Sequence, residues 1–480
     1  MWRLKRAVVM ILVHRVRGTW AKVRRLSDTK NTEDDGMNTS LTKLGSLALV
    51  IGLALGTSAP ACSWSDHATL AWPLMRTMPE LLEAEPVSAE SLVGFLESES
   101  DAIAALLEQQ ESWARSTMPA YAALPEALNF RPDLRGEKLE QSFLRAIRVN
   151  PSRSYRPYAQ LFAYEQPSAG ATLVPVADLT FLQGTIATNE SQYLALSEGE
   201  LVEPGRVLAT ASDEPDFGLD IGLFEDNNTP HGAVYGFGIQ PFGNPNLEYG
   251  SQAPFHMGFY HLDWLTSKAQ PGLLATYPQY RVSLYRSLSV LAFKTGHDYW
   301  GWRFAGWGLH YVGDLTQPYH AVPLPGVSLL DSLLTLVKGE VEQAVQLVSN
   351  RHGVIEAFQY QLVRGAIVNE DWDQSTLELV ARPSNRIEWQ ETTLVDELAL
   401  ESVQAADRLD SLIESNTPSK LVSDPAFEFT GSAEDASILE VIASHSPQAT
   451  AGLTTAVNEQ MERFSVFAQA WIRGILHSSD

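Results

Sequence analysis

The chain has 480 residues, with 34 Lys+Arg against 58 Asp+Glu, and a single cysteine. That length supports a large buried core, and one cysteine excludes both an internal disulfide framework and a thiolate-rich zinc cluster. A formal charge of −24 excludes the broad basic footprint of a stable duplex-DNA binder, but not a cation site built from carboxylates and imidazoles.

The charge is unevenly spread. Residues 1–63 carry ten Lys/Arg against four Asp/Glu, and the remainder carry 24 against 54. Residues 1–36 form a basic extension, Arg-rich with apolar interruptions, which is either an amphipathic arm or the product of an upstream start codon. From Met37 a light n-region with Lys43 precedes apolar residues 47–55 and small residues 56–63, the tripartite pattern of an export signal over 37–63. The apolar run is well below the roughly 18 residues a membrane span needs. Ala61 and Ser63 satisfy the small-residue rule for cleavage before Trp64, and cleavage after Ala61 satisfies it nearly as well. Lipidation of Cys62 is the weaker expectation, because the preceding Ser-Ala-Pro-Ala lacks the usual Leu. The expected product is secreted or periplasmic, begins Trp64-Ser65-Asp66-His67 and has no cysteine.

From residue 64 to 480 the pattern is mainly α, a multi-helix, bundle-like domain. Apolar residues at three- and four-residue spacing mark 97–110, 139–149, 284–293, 329–348 and 395–413 as helical. Residues 173–176 and 202–211 read as short strands. Residues 225–254 are rich in Asn, Gly and Pro and read as a long loop, a feature that is usually functional or disordered inside a compact domain. No repeat, low-complexity tract or compositional break divides the chain.

Phosphate loops, the Gly-x-Ser-x-Gly elbow and His-Glu-x-x-His are all missing. Histidine with carboxylate remains, concentrated in His310-Tyr-Val-Gly-Asp314-Leu-Thr-Gln-Pro318-Tyr-His320. His310 and Asp314 lie one helical turn apart on one face. Pro318 ends or bends that helix and swings His320 to a neighbouring position. His352 and Glu356 repeat the four-residue spacing. Two such helices facing each other build a site of nitrogen and oxygen ligands, which suits zinc, manganese or iron; zinc is the commonest hydrolytic choice. Taken alone, a His-x-x-x-carboxylate pair on a helix is usually a solvated pair worth about 0.2–0.5 kcal/mol. Around His310 the residues Trp300, Trp302, Phe304, Trp307 and Tyr311 imply burial, where an ionised Asp needs a partner. A structural His–Asp hydrogen bond would also meet that need.

The segment 310–321, ending His320-Ala321, resembles the central motif of the bacterial zinc-dependent phospholipases C, whose superfamily includes the single-strand-specific zinc nucleases. Trp64-Ser-Asp-His67 resembles the family's mature start, in which the Trp α-amino nitrogen and carbonyl bind a metal. His352 and Glu356 match its last ligand pair. Glu214-Pro215-Asp216-Phe217 resembles its Pro-Asp-aromatic segment, favouring Asp216 over Asp213 or Asp220. For the remaining His, residues 254–261 offer His256, the preferred choice, and His261.

The resemblance implies a trinuclear zinc site. Asp216, His256 and His310 hold one ion, and Asp314 bridges it to a second held by Trp64 and His67. His320, His352 and Glu356 hold the third. Asp216 also orients or deprotonates the attacking water. The match is strong over 300–360 and 64–71, weak over 212–261, and covers neither 362–480 nor 72–211, the latter an insertion relative to compact members. Ala321 and Glu356 look more like the phospholipase branch than the nuclease/3′-nucleotidase branch. The expected substrate is a phosphodiester, either a phospholipid met in a transient membrane-surface contact or a single-stranded nucleic acid. An exported helical metal-binding protein without catalysis is the alternative from another class.

Overall fold

The computed structural model describes residues 67–180, 191–327, 341–429 and 437–479. The basic extension, the export signal, Cys62 and Trp64 lie outside the described residues, as does 329–340 of the helix expected over 329–348.

Helices dominate the described residues, and the strands are confined to two short antiparallel ladders. β1 (Val87–Ser88) pairs with β4 (Leu201–Val202), and β2 (Tyr158–Gln160) pairs with β3 (Tyr193–Ala195). The helices that build or support the candidate site run in order α1 (His67–Ala71), α2 (Leu92–Thr117), α3 (Glu137–Ala146) and α4 (Pro204–Ser212). They continue with α5 (Glu248–His256), α6 (Pro278–Lys294), α7 (Asp298–Thr316) and α8 (Pro318–Ala321). The last are α9 (Val341–Val368), α10 (Ser375–Ala381), α11 (Leu400–Asn416) and α12 (Pro447–Ser479). None of the described helices is long and apolar enough to cross a membrane.

Among the described residues, the core is built around α7. Every residue from Tyr299 to Thr316 is buried, because α4, α6 and α12 pack around it. Trp300, Phe304 and Trp307 stack edge-on or tilted along one side of α7, and Phe304 also meets Phe95 of α2 and Phe143 of α3. The aromatic side chains of this segment, with Trp302, Tyr311 and Tyr319, therefore pack the core. Much of the stretch 72–211 shares that same core, with Phe95, Leu96, Ile103 and Phe143 fully buried in it. Gly306 allows the tight approach of α4. A Cβ there would stand 2.5 Å from the Leu208 carbonyl oxygen and 2.6 Å from the Ala211 Cβ.

Three sequence expectations need correction. Residues 202–211 are a strand only at Val202; Pro204 then opens helix α4 at its first turn. The fixed φ of proline suits a helix start, and burial from Val207 to Ser212 against α7 explains why the apolar run mimicked a strand. Residues 173–176 form a single bridge, Leu173 to Leu194, and then a 3-10 turn from Val176. The expected loop 225–254 contains two 3-10 turns, and α5 begins within it at Glu248. Pro254 sits inside α5, where proline obscured the helical pattern.

Candidate metal centre

The chain break expected at Pro318 is present. Helix α7 ends at Thr316, Gln317 is extended at ψ 116°, and α8 restarts at Pro318. The bend carries His320 alongside Asp314, with the His320 Nδ1 3.5 Å from Asp314 Oδ1. Gly313 is needed for the same reason on the other side of the helix, because a Cβ there would lie 2.9 Å from the His67 Nδ1. The short helix α1 is drawn in by Asp213, which accepts from the Ala68 amide at 2.9 Å.

Eight of the nine residues picked from sequence lie in the described part, and all eight are buried in three adjoining groups. The groups are Asp216–His256–His310, His67–His310–Asp314 and His320–His352–Glu356. In the first, His256 Nδ1 lies 2.9 Å from His310 Nε2, 2.9 Å from Asp314 Oδ2 and 3.7 Å from Asp216 Oδ1. His310 Nε2 is 3.3 Å from Asp314 Oδ2 and 3.8 Å from Asp216 Oδ1. His67 Nε2 stands 3.5 Å from the other oxygen of Asp314. In the third group His320 Nε2 is 3.5 Å and His352 Nε2 is 2.7 Å from Glu356 Oε1.

These separations fit donors that share a cation. Four ligands at the zinc–nitrogen distance of about 2.05 Å, set tetrahedrally, stand roughly 3.3 Å apart. The first group's distances fall on both sides of that value. His67 Nε2, Asp314 Oδ1, His320 Nε2 and Glu356 Oε2 are buried with no hydrogen-bond partner. Buried polar atoms without partners are rare and costly, and a cation in each of the two groups they belong to would satisfy all four.

The outward sides of the rings are held. His310 Nδ1 donates to the Ser212 carbonyl at 2.8 Å, and His320 Nδ1 donates to the His256 carbonyl at 2.9 Å. A carbonyl can only accept, so each of these rings carries a proton on Nδ1, which leaves Nε2 as the nitrogen available to a metal, the usual support for a metal-binding imidazole. Burial pushes the His67 imidazole down, with His310 adding to the effect, and keeps it neutral. Burial alone would lower His320 too, but Asp314 and Glu356 outweigh it and push it up to about 9. Burial opposes ionisation of Asp314, yet the surrounding His310, His320 and His256 hold its carboxyl well below the usual range.

No protein-family model, curated protein or solved structure matches the chain.

The site geometry separates the alternatives left open by the sequence. His261 is turned away and donates from Nε2 to the Val395 carbonyl at 2.7 Å, whereas His256 stands among the clustered donors. Asp220 is taken up by Arg281, at 2.5 Å to Oδ1, and by the Tyr311 hydroxyl, at 2.5 Å to Oδ2. It lies behind His256, 3.6 Å from Nε2. His352 and Glu356 are 7% and 0% exposed, so they are not a solvated surface pair. Trp64 lies outside the described residues.

Two supporting groups had no counterpart in the sequence reading. Gln252 Nε2 donates to Asp216 Oδ1 at 3.0 Å. Its position one helical turn before His256 on α5 was a readable signal, masked by the assignment of that stretch to a loop. Glu214 is fully buried, accepts from Arg303 Nη2 at 2.7 Å and from Trp307 Nε1, and lies 3.3 Å from Arg153 Nη2. Burial would raise its pKa, but Arg303 and Arg153 reverse that and hold it at about 2. This anchor fixes the start of the π-helical turn Pro215–Leu219, which Gly218 closes at φ 119° and which presents Asp216. Nothing local in the sequence marks Glu214 as different from its acidic neighbours.

Proposed function

We propose that the chain is an exported zinc-dependent phosphodiester hydrolase, phospholipase C-like in substrate. The observation that carries this reading is the convergence of three His/carboxylate groups on Asp314 and its neighbours from five separate helices and a π-helical turn. The donor set of imidazoles and carboxylates without thiolate suits zinc. Asp216, His256 and His310 would hold one ion and Asp314 would be shared with a second at His67, where Trp64 completes the set in the resemblance. His320, His352 and Glu356 would hold the third.

Zinc ions bound there supply Lewis acidity toward phosphoryl oxygens and acidify a coordinated water to near neutral pH. The chain's own contribution is positional. Gln252 pins one oxygen of Asp216, leaving the second to orient an attacking water and take its proton. Asp216 and His352 are the most exposed of the eight, at 8% and 7%, so substrate is expected to approach between these two ends of the cluster. The bound cations also provide the positive charge that the acidic protein lacks, so a phosphate ester is compatible with the −24 total.

Expression of the whole precursor tests the reading. We expect a mature chain beginning at Trp64, about three zinc ions per chain, and faster hydrolysis of phosphatidylcholine than of single-stranded nucleic acid. The opposite substrate order moves the protein to nuclease chemistry. Zinc retained without hydrolysis of either leaves a non-catalytic metal protein, and a chain that retains no zinc refutes the metal assignment.

A further inference from the structure

We propose that Asp410 is a positioning residue for the third cluster, a buried tether that sets the spacing of His320 and His352 through their immediate neighbours in the chain. The inference rests on the metal reading above and deepens it. It also assigns a task to α11, which belongs to the C-terminal stretch that no motif explains.

Asp410 is 3% exposed and uses both of its oxygens. Oδ1 accepts from the Tyr319 hydroxyl at 2.8 Å, and Oδ2 accepts from Arg351 Nη1 at 2.5 Å. Tyr319 directly precedes His320 on α8, and Arg351 directly precedes His352 on α9. One carboxylate thus bridges the two helices that bring the ligands of this cluster together. The Tyr319 ring also lies nearly parallel to the His352 ring, with centroids 5.3 Å apart at 14°, and covers one imidazole face. The His320 ring meets His352 edge-on at 5.0 Å and 89°.

Glu356 rides on α9 one turn beyond His352. The 3.5 Å between His320 Nε2 and Glu356 Oε1 is therefore set by how α8 sits against α9. Arg351 keeps two further anchors, Nε on the Val422 carbonyl at 2.9 Å and Nη2 on Glu414 at 2.9 Å. The tether is thus backed by α11 and the segment behind it. Partners that orient metal ligands typically contribute 10–100-fold to metal affinity.

The test uses full-length protein stripped by chelator and titrated with Zn2+ against a competing chelator, with zinc per chain counted by elemental analysis. The His352→Ala variant identifies which binding step belongs to the third cluster. Asp410→Asn is expected to weaken that step roughly 10–100-fold and leave the others unchanged. Tyr319→Phe removes only the hydroxyl, keeps the Arg351–Asp410 pair, and is expected to weaken the same step. A third step of wild-type affinity in both variants overturns the tether, as does equal weakening of every step, which marks general destabilisation. A wild-type chain with no His352-dependent step overturns the metal reading itself and the tether with it.

Discussion

His256 Nδ1 and His310 Nε2, from helices 54 residues apart in sequence, face each other at 2.9 Å. The far nitrogen of His310 is committed to the Ser212 carbonyl, and that of His256 turns toward Asp220. His310 therefore presents its Nε2 lone pair toward His256 Nδ1, and Asp314 Oδ2 stands alongside, also 2.9 Å from that nitrogen. Three electron-pair donors this close need a proton or a cation among them.

Removal of metal is accordingly expected to destabilise the fold. Each ion held at about a thousand times its dissociation constant contributes roughly 4 kcal/mol. Calorimetry with and without chelator should show a large fall in Tm that Zn2+ restores. An unchanged Tm would count against buried cations.

Asp314 touches all three groups, lying near His67, His256, His310 and His320. Asp314→Ala should lose at least the two ions nearest it and lower phosphodiester hydrolysis by more than about 100-fold. Elemental analysis and initial rates measure both. Retention of full metal content would remove Asp314 from the ligand set.

Glu214 predicts an acid-sensitive component of stability. Its carboxyl is held at about 2 against an ordinary 4.5. A depressed carboxyl stabilises fully above the unfolded value, and that stability is lost as pH falls from about 4.5 toward 2. The amount is on the order of 3 kcal/mol. Denaturant unfolding across this range should show the loss in the wild type and lack this component in Glu214→Gln. At neutral pH the variant should be about 3–5 kcal/mol less stable, since Arg303 and Arg153 are left buried beside a neutral amide.

Two glycines in helices should respond in opposite directions. Gly306→Ala drives a methyl into α4 and should cost about 1–3 kcal/mol despite the better helix propensity of alanine. Gly365→Ala meets nothing within 4 Å on α9 and should stabilise by about 0.5–1 kcal/mol. Urea unfolding of both variants distinguishes packing from propensity.

Helices were legible where one face alternated with another, as in α2, α3 and α6. They were illegible where every face was covered: α4 read as a strand because almost all of its residues are buried against α7 and its neighbours. Helix α5 was hidden by Gly250 and Pro254, which are tolerated because the helix end is pinned in the tertiary structure, where the Pro254 carbonyl accepts from the Tyr277 amide.

The local spacing of the sequence determined the His/carboxylate pairs His310/Asp314 and His352/Glu356 and the break at Pro318, because helix geometry and proline act over four residues. It also limited the donors to imidazole and carboxylate, since one cysteine cannot build a thiolate site. The tertiary structure decided that His256 rather than His261 joins the cluster, that Asp220 stands behind it, and that Glu214 and Asp410 anchor its margins. Those outcomes depend on partners 58–98 residues away, and no local spacing specifies which distant group will satisfy a buried charge.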